Sequence, residues 1–148
     1  MLGGEGGKAV EYLKVDIYIH AKHKGNPRGA GEATAILEFI SRKNEAHIRK
    51  ATAAVENDTK NALTLKVIVT ALKMLIKPCE VVLHTDNEYI KSCVALGWLE
   101  TWRQQDWRKA NGKQPANMEL WKGFYISMQI HKITFMPYED RQEFNNEN

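Results

Sequence analysis

Asp86 is the residue in this chain whose surroundings most suggest chemistry. It closes the run CEVVLHTD, in which an apolar stretch of strand length ends in an acid followed by Asn87, Glu88 and Tyr89. That pattern places a carboxylate at the carboxyl edge of a sheet, just ahead of a helix start, and open α/β sheets carry their sites along that edge. Farther on, tryptophans at 98, 102 and 107 are interleaved with Arg103, Arg108, Lys109 and Lys113, and Asn117-Met118-Glu119-Leu120-Trp121 follows. Cations among aromatic faces suit a nucleic-acid backbone and its bases. His20, at the end of the alternating run 13–20, is a second titratable group within reach of the edge. With Asp86 it offers one nitrogen and one oxygen, a donor pair for a transition metal if His23 or His84 joined it. A hydrogen bond between imidazole and carboxylate is the simpler expectation, and no metal is expected there.

Positioning these groups calls for an α/β domain. Val15, Ile17 and Ile19 fall on one face of the first strand, and Asp16, Tyr18 and His20 on the other. The turn Gly25-Asn26-Pro27 leads to strands over 33–40 and 46–56, an antiparallel meander. A helix over 61–77 follows, with Leu65, Ile68, Leu72 and Leu75 as its buried stripe and Pro78 as its stop. The fourth strand is 79–84 and the fifth 131–135, separated by helices over 87–96, 98–105 and 117–129. The expected architecture is a five-stranded mixed sheet, antiparallel meander plus parallel strands, flanked by helices and spanning 13–136. Residues 1–12, with the cluster GGEGG, read as a flexible tail, and 137–148 as a polar one.

Length and charge narrow the function classes. A chain of 148 residues suits one domain with a core of its own. The formal charge of +3 is mild, so its distribution matters more than its sum. Residues 102–113 hold four cations and one anion, while 138–148 hold four anions and one cation, which points to the tryptophan-bearing segment as the seat of the positive charge. Cys79 and Cys93 are too few for a metal knuckle, and the start of the chain does not resemble a signal peptide, so a reducing cytoplasm is the expected setting. No apolar run approaches a membrane span.

In order and spacing, GNP, TDNEYI, the three tryptophans and NMELW resemble a type 1 ribonuclease H domain over residues 15–135. The resemblance implies an RNA/DNA hybrid as ligand and carboxylates that hold two Mg²⁺ or Mn²⁺ ions for hydrolysis. Asp86 matches one of those carboxylates. The first family Asp and the Gly-Ser after it are His20, Ala21 and Lys22 here; the Glu in the first turn of the central helix is Thr64; and the chain ends before the helix that would bring a fourth. Hard cations take oxygen ligands, so His20 and Thr64 are poor replacements. Asp16 lies roughly 13 Å back along the strand from His20, and Glu139, Asp140 and Glu143 are the acids from which relocated ligands would have to come.

The positions that grip a duplex fare better in the resemblance. It implies groove contacts for Asn26 and Asn61, phosphate contacts for Thr59 and Asn117, a place beside the DNA strand for Trp98, and a handle built on Trp102 and Trp107 with phosphate-facing cations Arg103, Arg108, Lys109 and Lys113. Turn formation, core packing and a solvated charged face account for the same residues without a ligand. The leading expectation is a nucleic-acid-binding domain that takes an RNA/DNA hybrid or other duplex without cutting it. The alternatives are an active, metal-dependent hybrid endoribonuclease with relocated ligands and a protein-interaction module with a protein partner.

Overall fold

Alternating apolar and polar residues give β1 (Leu13–His23), which pairs antiparallel with β2 (Arg28–Ile40). β2 in turn pairs antiparallel with β3 (Ala46–Thr59). The computed structural model describes residues 12–138, so most of the two expected tails lies outside it. Thr59 then caps α1 (Lys60–Leu72), its hydroxyl accepting the Ala62 N–H at 3.0 Å. After α1 the chain enters β4 (Cys79–His84), parallel to β1, a connection that requires a crossover, and α1 is that crossover. A second crossover, of α2 (Glu88–Ala95), α3 (Trp98–Gln104) and α4 (Met118–Ile130), leads to β5 (Lys132–Met136), parallel to β4. The strand order is β3-β2-β1-β4-β5, the expected five-stranded mixed sheet.

The core sits between α1, α4 and one face of the sheet. Val15, Ile17 and Ile19 of β1 meet Ala33, Ala35 and Leu37 of β2 and Leu65, Ile68 and Leu72 of α1, with Trp121 and Phe124 of α4 closing the layer. Small Ala33 and Ala35 let the helix lie close to the sheet. Gly31 serves the same end, since a Cβ there would stand 2.7 Å from the Lys22 carbonyl oxygen and 2.8 Å from the Leu63 side chain. The other face is not simply solvated: Tyr18 is buried with Ile36 and stacks on His84, ring centroids 4.2 Å apart.

Four boundaries differ from the expectation for physical reasons, among them the end of β3, which continues past 56 to Thr59 because its pairing with β2 runs on to Arg28. β1 runs three residues past His20 because the hairpin register extends to His23 opposite Gly31, and β2 begins at Arg28 instead of 33 because Arg28 and Gly29 pair with Thr59 and Asp58 of β3. The Gly- and Ala-rich start of β2 has little strand preference of its own, so its pairing is tertiary in origin. α1 stops at Leu72, with Met74 and Leu75 N–H donating to Ala71 and Leu72 in tight turns. Pro78 holds the preceding residue extended, so the chain must leave the helix before reaching it.

Candidate nucleic-acid interface

β4 ends at His84, opposite Tyr18, while β1 continues past it, so His20 stands at the carboxyl edge of the parallel strands. Beyond β4 the chain turns through Thr85 and Asp86 to Asn87, which caps α2 by accepting the Ile90 N–H at 3.0 Å. The Asn87 amide also donates to Asn61 Oδ1 at 3.0 Å, tying the cap of α2 to the first turn of α1. Between them lies a cleft of about 490 Å³ lined by His20, Lys60, Asn61, Thr64, Asp86 and Tyr138 among others. Tyr138, expected to belong to a polar tail, joins the two candidate ligands. Its hydroxyl is hydrogen-bonded to His20 Nδ1 at 3.1 Å, and its backbone N–H donates to Asp86 Oδ1 at 2.9 Å.

The expected companions of His20 are engaged elsewhere. His84 Nε2 bonds Asp16 Oδ1 at 2.9 Å, on the face where Tyr18 stacks on it. The two ring nitrogens of His23 brace the hairpin, Nδ1 accepting the Gly25 N–H at 3.1 Å and Nε2 donating to the Asp58 carbonyl at 2.6 Å. Thr64 is 2 % exposed, and its hydroxyl donates to the Lys60 carbonyl at 2.8 Å. Nowhere among the described residues do three His, Cys, Asp or Glu side chains gather as a metal site would require. Two hard cations need several carboxylate oxygens, and the described residues at this edge do not fit them. Glu139, Asp140 and Glu143 lie outside the described residues.

The tryptophans form a chain of contacts. Trp102 packs between Trp98 and the buried Trp121, with ring centroids 6.1 and 6.3 Å away, and Trp107 meets Tyr125 edge-on at 6.0 Å. Trp102 and Trp107 thus serve packing, whereas Trp98 is 44 % exposed. Trp98, Trp102 and Lys109 line a second depression of about 460 Å³ together with Tyr89. Tyr89 accepts the Trp121 indole N–H at 3.2 Å, and burial pushes its phenol pKa up. Asn117, with φ of 62°, precedes α4 in a left-handed conformation that Asn tolerates.

Of the four expected phosphate-facing cations, Arg103 is already committed. Its guanidinium makes two bonds to Glu100, at 2.6 and 3.2 Å, and lies over the Tyr125 ring. Tyr125 donates its hydroxyl to the same carboxylate at 2.7 Å, and these bonds hold the Glu100 pKa at about 2. Arg108 donates to the Gly112 carbonyl at 3.2 Å, bracing the loop in which Lys109 and Lys113 face each other through their backbones.

The β1–β2 hairpin is a basic segment that the sequence reasoning passed over. Residues 20–31 contain Lys22, Lys24 and Arg28 and no acid, an excess of three that equals the four cations less one anion of residues 102–113. The positive charge is therefore not seated in the handle alone, and a charge count along the hairpin would have shown it. Arg28 donates to the Asn57 carbonyl at 2.8 Å and lies 3.7 Å from Asp58, pinning the hairpin to the end of β3. Asn26, exposed and followed by a cis peptide to Pro27, stands at its tip. A third depression, of about 680 Å³, is lined by His20, Lys22, Lys24, Thr34 and Thr52 among others.

Residues 14–138 match the RNase H family model. Ribonuclease H of Thermus thermophilus is 36 % identical over 122 residues, covering 82 % of this chain and 70 % of that protein. Ribonuclease H of Lachnoclostridium phytofermentans is 31 % identical over 123 residues, 83 % of this chain and 78 % of that one. Among solved structures, LC9-RNase H1, a type 1 RNase H with the type 2 active-site motif, superimposes with a TM-score of 0.73 at 20 % identity, over 91 % of this chain and 66 % of that one. At that identity the likeness speaks for the fold. No helix among the described residues is long and apolar enough to cross a membrane.

Proposed function

The chain belongs to the RNase H family, and on that premise we propose that it holds an RNA/DNA hybrid along the carboxyl edge of its sheet without hydrolysing it. The observation that carries this reading is the state of the three candidate ligand positions. His20 is an imidazole bonded to Tyr138, Thr64 spends its hydroxyl on its own helix, and Asp86 accepts a backbone N–H. Hydrolysis through two hard cations asks for carboxylates at such positions. Binding asks for less: cations for phosphates, an exposed aromatic face for a base, and polar groups held along a groove. Lys109 and Trp98 in one depression, and Asn61 in the cleft beside it, supply those.

The test uses a labelled RNA/DNA hybrid with Mg²⁺, with Mn²⁺ and with chelator. The expected outcome is a salt-dependent complex in all three and intact RNA in each. Turnover in Mg²⁺ that disappears in Asp86→Asn would overturn the non-hydrolytic reading, and no complex at low salt would overturn the duplex itself.

A further inference from the structure

We propose that the amino edge of the sheet carries a docking groove for a protein partner, one that presents an acidic segment with one or two bulky apolar side chains set among its carboxylates. The proposal stands apart from the duplex reading, because the groove lies at the end of the fold away from the cleft. α1 stops at Leu72, whereas β1 beneath it begins at Leu13 and β2 runs on to Ile40. The last stretch of the sheet is therefore left without a helix over it, and the chain passes it in the tight turns at Met74 and Leu75. There a depression of about 270 Å³ opens, with Leu13, Phe39, Met74 and Ile76 among its apolar walls, Arg49 and Lys77 as its charged members and no acid in its lining. Small-molecule pockets run to roughly 300–1,000 Å³, so this smaller volume suits one or two side chains of a partner better than a cofactor.

The chemistry of the groove selects that partner. Ile76 is 93 % exposed at its rim, and covering so large an apolar side chain is favourable. Met74 beside it is unbranched and adapts to side chains of different shape. The register sets Arg49 beside Leu37 and His47 beside Phe39, so both stand on the groove side of β3, the edge strand. His47 stacks on Phe39 with ring centroids 4.8 Å apart, which takes up an aromatic face on which a base would stack. The remaining walls are aliphatic and favour a peptide side chain over a nucleobase. Residues 41–50 hold four cations and one anion, and residues 73–77 two cations and no anion. Arg49 and Lys77 are exposed and face no carboxylate within ion-pair distance among the described residues, so their charge meets that of a partner. An apolar centre with a charged rim is the layout of a protein interface, and the rim sets the sign of the partner. Leu13 is seven residues from His20 along β1, about 23 Å at 3.3 Å per residue, so a partner seated here leaves the cleft open.

The experiment is fluorescence anisotropy of the full chain with a labelled peptide in which a leucine and a phenylalanine, separated by one serine, are flanked by three aspartates on each side. Two control peptides carry serine for every aspartate, or alanine for the leucine and the phenylalanine. Wild type should bind the acidic probe and neither control. Ile76→Ser should weaken that binding about tenfold, the low end of what an isoleucine side chain gains on burial. Arg49→Gln with Lys77→Gln should weaken it about tenfold at low salt, taking about threefold for each charge pair at about 6 Å in water. Arg49→Glu with Lys77→Glu should reverse the preference, toward a probe with lysine for aspartate. All three positions are exposed, so each variant should keep its fold by circular dichroism and its affinity for a labelled RNA/DNA hybrid. Wild type that binds no probe, or binds the serine control equally well, would overturn the proposal. Loss of hybrid affinity in Arg49→Gln with Lys77→Gln, with the hybrid displacing the probe, would overturn it in favour of a nucleic-acid surface. A wild-type dimer that Ile76→Ser turns into a monomer in ultracentrifugation would overturn it in favour of a second copy of this chain. Wild type that takes the acidic probe and no hybrid would leave the groove standing and overturn the duplex reading alone.

Discussion

Four handle cations that look alike in the sequence should divide into two kinds when they are removed. Arg103 is bonded twice to Glu100 and covers Tyr125, so its charge is matched within the protein before any ligand arrives. Arg108, Lys109 and Lys113 face no carboxylate within ion-pair distance among the described residues. Counterion release scales with the phosphates neutralised, at about 0.9 in slope for each in B-form DNA. Replacing Arg108, Lys109 and Lys113 by Ala should therefore flatten the salt dependence of hybrid binding by up to about 2.7. Across 50 to 200 mM KCl that is about 40-fold in the affinity ratio, by the same relation. Arg103→Ala should leave the slope unchanged and loosen the α3–α4 contact instead, visible as altered tryptophan fluorescence. Anisotropy titrations at four salt concentrations would read both. A flattening of about 0.9 in Arg103→Ala alone, with no change in fluorescence, would refute the argument, because it would mean that the guanidinium leaves Glu100 for a phosphate.

Two pH effects follow from the same structure. Glu100 has its pKa lowered, by the bonds from Arg103 and Tyr125, from 4.5 to about 2. A lowered acid pKa stabilises the fold above its ordinary value, so the α3–α4 link should weaken as the pH falls from about 4.5 toward 2, and Glu100→Gln should remove that dependence in an acid titration of tryptophan emission. His131 is buried, accepts the Cys79 N–H at 3.0 Å through Nδ1, and has its pKa lowered by burial. The unfolded chain then binds a proton that the folded one resists, so urea midpoints should hold above about pH 6.5 and fall below it. His131→Phe should abolish that slope and cost about 1–3 kcal/mol at pH 8, because the Cys79 N–H loses its acceptor. A midpoint equal to wild type at pH 8 would contradict the bond.

What the sequence disclosed and what it hid divide along the range of the interactions involved. Alternation marked β1, an apolar run of strand length marked β4 and a helical stripe marked α1, because a local pattern records which face of an element is buried. The glycine-rich start of β2 stayed hidden, since its pairing is imposed by β3 and β1 and not by its own residues. The candidate site was legible as positions and opaque as connections. That His20 and Asp86 share a strand edge follows from where their runs end. That Tyr138 stands between them, or that His84 turns to Asp16, depends on contacts 118, 52 and 68 residues apart in sequence, which no local pattern encodes. The same holds for Arg103: the spacing to Glu100 is visible, but the Tyr125 hydroxyl that completes the cluster comes from another helix.

On the proposed reading, the composition of the strand edge has an electrostatic logic of its own. Two carboxylates 4 Å apart repel by about 4 kcal/mol at an effective permittivity near 20, so several can converge on one edge when cations lie between them. An imidazole at 20 and a hydroxyl at 64 remove that repulsion at the source. Asp86 persists because it is exposed, stands just before the cap of α2 where the helix dipole favours an anion, and accepts the Tyr138 N–H. In a metal-dependent enzyme such a carboxylate helps to bind the ligand through its ions; here it faces the phosphates as an uncompensated like charge. Asp86→Asn keeps an oxygen for the Tyr138 N–H and removes the charge. At about 6 Å in water the repulsion relieved is about 0.7 kcal/mol, so hybrid binding in chelator should tighten by about threefold at low salt. The gain should shrink to a small fraction by about 0.5 M salt, where the Debye length of about 4 Å is shorter than that distance. Binding that weakens in Asp86→Asn, in Mg²⁺ but not in chelator, would show instead that the carboxylate meets the ligand through a metal, and the like-charge argument would fall.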